Sequence, residues 1–229
     1  MDFNSLKQAT DTVDSRNQLK DSECVRFEKI KNNGMRVLFV GNSITLHGRK
    51  ADIGWHGEWG MAASTKDNDY VHIIERHISA LDKNASFCIC NAANWERLYK
   101  NGETVLQKYE SAREYNADII IVKLSANSPV DDFDTDAFKK NFALLVDYLN
   151  KSKKAKIIIT TDFFHHPAEA ALSAYCDENG LKLCILSDLG DVPEMKALGL
   201  FEHEGVASHP GDLGMKTIAY RILNALYGA

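Results

Sequence analysis

Ser43 ends the stretch Val37-Leu38-Phe39-Val40-Gly41-Asn42-Ser43 and is the first side chain placed where chemistry could be done. The apolar, β-branched run reads as a buried strand, and Gly41 permits a sharp turn directly after it. A serine just past a strand end in an α/β chain lies at the carboxyl edge of the sheet, where open α/β folds place their sites. The same serine could simply cap the next helix, so its company decides. That company follows the other strand-like runs. Trp55 and Trp59 lie in a glycine-rich loop over 46–60; Asn94, Trp95 and Glu96 follow 86–90; Asn127 follows 117–124; Asp162 follows 156–161; His209-Pro210-Gly211-Asp212 opens the last helix.

These residues share one rim only if the elements between them build one sheet. Near-continuous apolar runs predict strands at 37–40, 86–90, 117–124, 156–161 and 181–186, as parallel strands buried on both faces require. Between them, helical periodicity marks 69–81 and 134–150, the latter carrying Phe138, Phe142, Leu145 and Leu149 on one stripe. Further helices are expected over 102–115, 168–179 with Gly180 as its C-cap, and 213–227 with Asp212 at its positive end. Strand–helix alternation implies a three-layer α/β/α fold with a five-stranded parallel sheet, and right-handed crossovers put every strand-to-helix loop on one edge. Residues 1–33 read as an N-terminal arm with one helix through 19–30, and 1–229 as a single domain.

Composition narrows the function. The chain has 229 residues, 45% hydrophobic and 26% charged, with a net charge of −5. That balance suits a soluble globular protein and lacks the basic face of a nucleic-acid binder. No run is long enough to span a bilayer, and the polar N-terminus has no signal-peptide core. Five cysteines without zinc-type spacing read as small reduced hydrophobes, pointing to the cytoplasm. No metal or cofactor is expected: neither His165 and His166 with Asp162 nor His47, Asp52 and His56 has a ligand spacing, and no glycine-rich phosphate loop supports a flavodoxin-like nucleotide binder. His72 and His77 read as surface residues on a helix.

In order along the chain, Gly41-Asn42-Ser43, Asn127 and His209-Pro210 resemble the blocks of the SGNH hydrolase (GDSL esterase and lipase) superfamily. The resemblance runs from about residue 36 to 227. It departs from the family pattern where Asn42 replaces aspartate, where 94–96 offer no glycine, and where Ser125-Ala126-Asn127-Ser128 keeps only the asparagine. It implies a flavodoxin-like SGNH fold and an ester hydrolase with Ser43 as nucleophile. A hydroxyl needs a base in reach, and His209 takes that role. The Ser43 amide, an amide near Trp95 or Glu96, and the Asn127 side chain would supply oxyanion donors. The family places an aspartate three residues before the histidine, and here Val206 stands there. Glu204 could orient the imidazole instead, as could a backbone carbonyl, leaving a Ser–His dyad; Asp162 is a remoter choice.

The rim tryptophans, Trp55, Trp59 and Trp95, would suit stacking on a sugar ring or an acyl chain, or else pack their loops. A carbohydrate O-acetyl ester is the favoured substrate class, short acyl esters and lysophospholipids stay open, and no nucleic-acid or membrane partner is expected. The alternative is a catalytically silent SGNH-like domain that binds a glycan or protein.

Overall fold

The computed structural model describes Leu19 and residues 23–228. Six strands form one sheet: β1 (Val25–Glu28), β2 (Arg36–Gly41), β3 (Ser86–Asn91), β4 (Ile119–Lys123), β5 (Lys156–Thr160) and β6 (Leu183–Cys184), in the order β1-β3-β2-β4-β5-β6. All neighbours pair in parallel except β1, which runs antiparallel along β3. The parallel strands are those the apolar runs predict. β1 corrects the expected helix over 19–30: its backbone covers an edge of β3 that would otherwise leave a row of unpaired donors and acceptors. Residues 1–18 and 20–22 of the expected arm lie outside the described residues.

Alternation along the central strands divides the core into two layers. Leu38, Val40, Ile120 and Val122 face one side, against Trp95, Phe138, Phe142 and Leu145. Val37, Phe39, Ile119 and Ile121 face the other, against Tyr70, Ile74, Ile218 and Ile222. The helices that supply these layers are α1 (Tyr70–Leu81), α2 (Ala93–Arg97), α3 (Glu110–Glu114), α4 (Thr135–Leu149), α5 (Ala168–Glu178) and α7 (Asp212–Tyr227), while α6 (Glu204–Ala207) packs Val206 into a smaller cluster with Trp55 and Met61.

Three elements differ from expectation, each for a local reason. The polar stretch after β3 is not an open loop but the short helix α2. The expected helix over 102–115 is a 3₁₀ segment, Tyr99–Tyr109, followed by α3. Gly102 there lies so close to the Trp95 indole that an added Cβ would stand 2.3 Å from its Nε1. β6 is only two residues long because the Thr161 Oγ1 captures the amides of Leu186 and Ser187 at 2.7 and 3.0 Å, turning the chain away.

Register brings the strand ends together. Val40 pairs with Val122, and Lys123 with Thr160, so the residues following β2, the end of β4 and the start of the loop after β5 meet at one place. Gly41 is required there: a Cβ would lie 1.8 Å from Thr45 Oγ1 and 3.1 Å from the Lys123 carbonyl. Gly41→Ala is therefore expected to cost about 1–3 kcal/mol by overpacking, read as a lower urea midpoint at unchanged slope; an unchanged midpoint would show that the turn has room to relax.

Candidate active site

Just past β2 the chain turns through Asn42, whose carbonyl accepts the amides of Thr45 and Leu46 at 2.9 and 3.0 Å. This tight turn presents Ser43 at the carboxyl edge of the sheet, with only 8% of its surface exposed. Its Oγ lies 2.8 Å from His209 Nε2. The other ring nitrogen, Nδ1, is 2.6 Å from the Gly205 carbonyl. A carbonyl can only accept, so Nδ1 carries the proton and Nε2 keeps its lone pair for the serine hydroxyl. Desolvation pushes the His209 pKa down to about 4, against the pull of the Gly205 carbonyl, so the ring is neutral near pH 7. A neutral imidazole hydrogen-bonded to a serine hydroxyl is the arrangement that nucleophilic catalysis requires.

His209 is held from both sides. α6 places the Gly205 carbonyl beneath the ring, and the His209 backbone carbonyl accepts Ala197 N at 2.9 Å. Gly211 N then reaches the Met195 carbonyl at 2.9 Å as α7 begins. Glu204, the candidate orienting acid, is exposed one residue before the carbonyl that accepts the Nδ1–H hydrogen bond. Both ring nitrogens are engaged, Nε2 by Ser43 Oγ and Nδ1 by the Gly205 carbonyl rather than by Glu204. Asp162 does not orient the ring either.

Asp162 belongs to a buried polar network beneath the serine. Lys123 Nζ is 2.9 Å from Asp162 Oδ1, and both side chains are 0% exposed. Asn42 Nδ2 donates to Asp162 Oδ2 at 2.6 Å and to Glu96 Oε1 at 3.1 Å. Asn42 Oδ1 accepts from Lys123 Nζ at 3.4 Å and from the Ile44 amide at 3.3 Å. Glu96 Oε1 also takes the Ser125 amide, and Oε2 takes Asn127 Nδ2, each at 2.6 Å. Burial and the Asp162 carboxylate push Glu96 above the usual carboxylate range, although Asn127, Asn42 and Lys123 hold it down. An amide at 42 can donate to both carboxylates, whereas an aspartate there would be a third negative group beside one lysine.

The oxyanion donors differ from expectation. The amides of Trp95 and Glu96 are both spent on the Ala92 carbonyl, at 2.9 and 3.2 Å, because that segment is helical. Asn94 is partly buried, its Oδ1 accepting from Arg97 at 3.2 Å. What this segment brings to the site is the Glu96 carboxylate, which holds one Asn127 Nδ2 hydrogen and leaves the second to point elsewhere. Among the described residues no acceptor holds the Ser43 amide.

The tryptophans are mostly core. Trp95 is fully buried and packs edge-on to Phe138 and Phe142, with ring centroids 5.4 and 6.1 Å away. Trp55 is buried against Ile53, Met61 and Val206. Only Trp59 keeps part of its surface open, and its Nε1 donates to the Ala63 carbonyl at 2.9 Å. The expected stacking platform is thereby reduced to one partly exposed ring. Sequence reasoning missed Lys123, whose signal is a lone lysine closing an otherwise apolar strand.

Asn42→Asp is expected to destabilise the fold by about 3 kcal/mol or more at pH 8, the scale of an uncompensated buried charge. The loss should shrink at pH 5, where a proton can neutralise the added carboxylate. Urea unfolding at the two pH values checks this; equal stability to wild type at pH 8 would contradict the network's charge balance.

No protein-family model matches the chain, and no curated protein matches its sequence. Solved structures do. A two-domain esterase (CEX) active on acetylated mannans superposes with a TM-score of 0.57 at 17% identity, over 84% of this chain and 48% of the other, so the chain spans about half of that protein. The psychrotrophic esterase EstA from Pseudoalteromonas sp. matches at TM-score 0.51 and 12% identity, over 84% of this chain and 97% of EstA. A protein assigned to the G-D-S-L lipolytic family from Desulfitobacterium hafniense matches at TM-score 0.51 and 12% identity, over 83% and 99%. With its central parallel sheet between two helical layers and a serine turn at the sheet's carboxyl edge, the chain has the fold of the SGNH hydrolases, the superfamily of GDSL esterases and lipolytic proteins.

Proposed function

We propose that this protein is a serine ester hydrolase working through a Ser43–His209 dyad. The observation that carries this reading is the 2.8 Å contact between Ser43 Oγ and the unprotonated Nε2 of a neutral His209. In the reaction, Nε2 takes the hydroxyl proton as Oγ attacks the ester carbonyl. The Gly205 carbonyl holds Nδ1–H throughout and faces the imidazolium that forms. The Ser43 amide and the second Asn127 Nδ2 hydrogen would receive the oxyanion, a donor of this kind being worth about 3–4 kcal/mol of barrier. His209 then protonates the departing alcohol, and water repeats the sequence on the acyl-enzyme.

A short acyl ester of a carbohydrate is the proposed substrate. The support is the fold neighbour active on acetylated mannans, also crystallised with mannopentaose, together with the partly open Trp59. No helix among the described residues is long and apolar enough to cross a membrane. The buried cysteines, none in a disulfide, fit the proposed cytoplasmic setting.

Hydrolysis of p-nitrophenyl acetate to butyrate, and acetate release from acetylated mannose oligomers, test the reading. Ser43→Ala is expected to lower kcat by roughly 10³-fold or more, with acetyl preferred over butyryl. Equal turnover by the two proteins, or none by wild type on any of these esters, would favour a silent glycan- or protein-binding domain.

The dyad makes a separate prediction. Glu204→Gln should leave kcat/KM within a few-fold of wild type, whereas losing a true triad carboxylate costs about 10⁴-fold. A loss of that size would return the orienting role to Glu204.

The depressed His209 pKa sets the acid limb. The base works only when unprotonated, so kcat/KM should hold as pH falls through 6 and drop as it passes about 4. An inflection near 6.5 in the pH–kcat/KM profile would show an ordinary, solvated histidine.

A further inference from the structure

Among the described residues, Glu28, His72 and Glu75 are the one group whose donor atoms converge as metal ligands do, all within 4.8 Å of one another. Glu28 ends the edge strand β1, while His72 and Glu75 lie one helical turn apart on α1. The cluster sits apart from the serine, and none of its residues takes part in the proposed reaction. It also corrects the expectation that His72 is a surface residue: His72 is only 6% exposed.

Two features make this more than a set of ion pairs. The Glu75 carboxylate is 1% exposed, yet neither oxygen has a hydrogen-bond partner; its nearest cation is Lys29 Nζ, 3.3 Å from Oε2. A buried carboxylate left this way is costly. His72 is aimed by a second carboxylate. Its Nδ1 lies 2.7 Å from Asp69 Oδ1, and Asp69 is itself fixed by the His72 amide at 2.8 Å and the Gly60 amide at 3.0 Å. This leaves His72 Nε2 facing Glu28 Oε2 at 3.4 Å without a hydrogen bond. A carboxylate behind one imidazole nitrogen, with the other turned to a cluster of oxygens, is the outer-sphere arrangement of metal-bound histidines.

We propose that Glu28, His72 and Glu75 bind one divalent transition-metal ion, Zn²⁺ in preference to Mn²⁺ or Mg²⁺, with Asp69 orienting His72. One imidazole and two carboxylates form a mixed nitrogen–oxygen set that suits zinc, with remaining positions for water. The ion would take the place now balanced by two lysines. Lys66 Nζ lies 2.7 and 2.8 Å from the Glu28 oxygens, and Lys29 faces Glu75; both lysine side chains are nearly half exposed. Bound there, the ion ties β1 to α1 and, through Asp69, to the loop at Gly60.

Calorimetric titration of the EDTA-stripped full chain with ZnCl₂, MnCl₂ and MgCl₂ tests the site. One equivalent of Zn²⁺ is expected, with a higher melting temperature, and Glu75→Gln should weaken that binding at least tenfold while keeping the fold. Co²⁺ supplies a second readout, since its visible absorption should change in Glu75→Gln and in His72→Gln. Zinc bound equally by wild type and Glu75→Gln, or no stoichiometric zinc at all, would overturn the proposal and leave a charge-balanced ion-pair cluster. If His72→Gln fails to fold, Glu75→Gln alone decides.

Discussion

A lysine ammonium closed off from water, between Asp162 and the amide oxygen of Asn42, is the interaction on which the rest of the structure depends. Such a pair is a poor source of net stability, because desolvating both ions offsets most of their attraction. Its value is in what it fixes. Lys123 ends β4, Asp162 follows β5, and Asn42 follows β2, so three neighbouring strands are tied at their carboxyl ends. Glu96 extends the tie to α2 and to the loop after β4, through the Ser125 amide and Asn127. Slippage of any one element would leave a buried charge without a partner, and that cost makes the geometry specific.

The serine turn inherits this rigidity. Asn42 uses both amide hydrogens and its oxygen within the network, while its backbone carbonyl closes the turn that carries Ser43. The histidine is fixed independently, from the other half of the chain. Backbone contacts with Met195 and Ala197 and the Gly205 carbonyl set its place and its tautomer. Gly214 allows this close packing, since a Cβ there would stand 2.2 Å from the Met195 carbonyl. The two halves thus meet across the Ser43–His209 hydrogen bond, and the proposed proton transfer would need little reorganisation there.

Much of the fold was legible because buried parallel strands advertise themselves as apolar runs, and 37–40, 117–124 and 156–161 are such runs. β1 was not, because Val25-Arg26-Phe27-Glu28 is too short and mixed to separate strand from helix; its partner β3 decides its state. Ser43, Asn127 and His209 were legible as residue types at strand and helix ends. The roles of Asn42, Glu96 and Asp162 were not. Their meaning lies in partners up to 120 residues away, and nothing local distinguishes a carboxylate that accepts from three donors from one facing solvent. The tryptophans misled for the opposite reason. A polar-looking segment can be a short helix that buries its one large ring, as Trp95 shows. Val206 stands where the resemblance puts an aspartate, and the His209 Nδ1 hydrogen goes instead to the Gly205 carbonyl, a partner that carries no residue-type signal.

Covalent capture distinguishes a Ser43 nucleophile activated by a neutral His209 from an inert serine. Intact-mass spectrometry after brief treatment with a fluorophosphonate at pH 7 should show a single adduct on wild type, mapped to Ser43, and a rate of modification sharply reduced in His209→Ala. An unmodified wild-type protein, or an adduct that forms at the same rate without His209, would contradict the account.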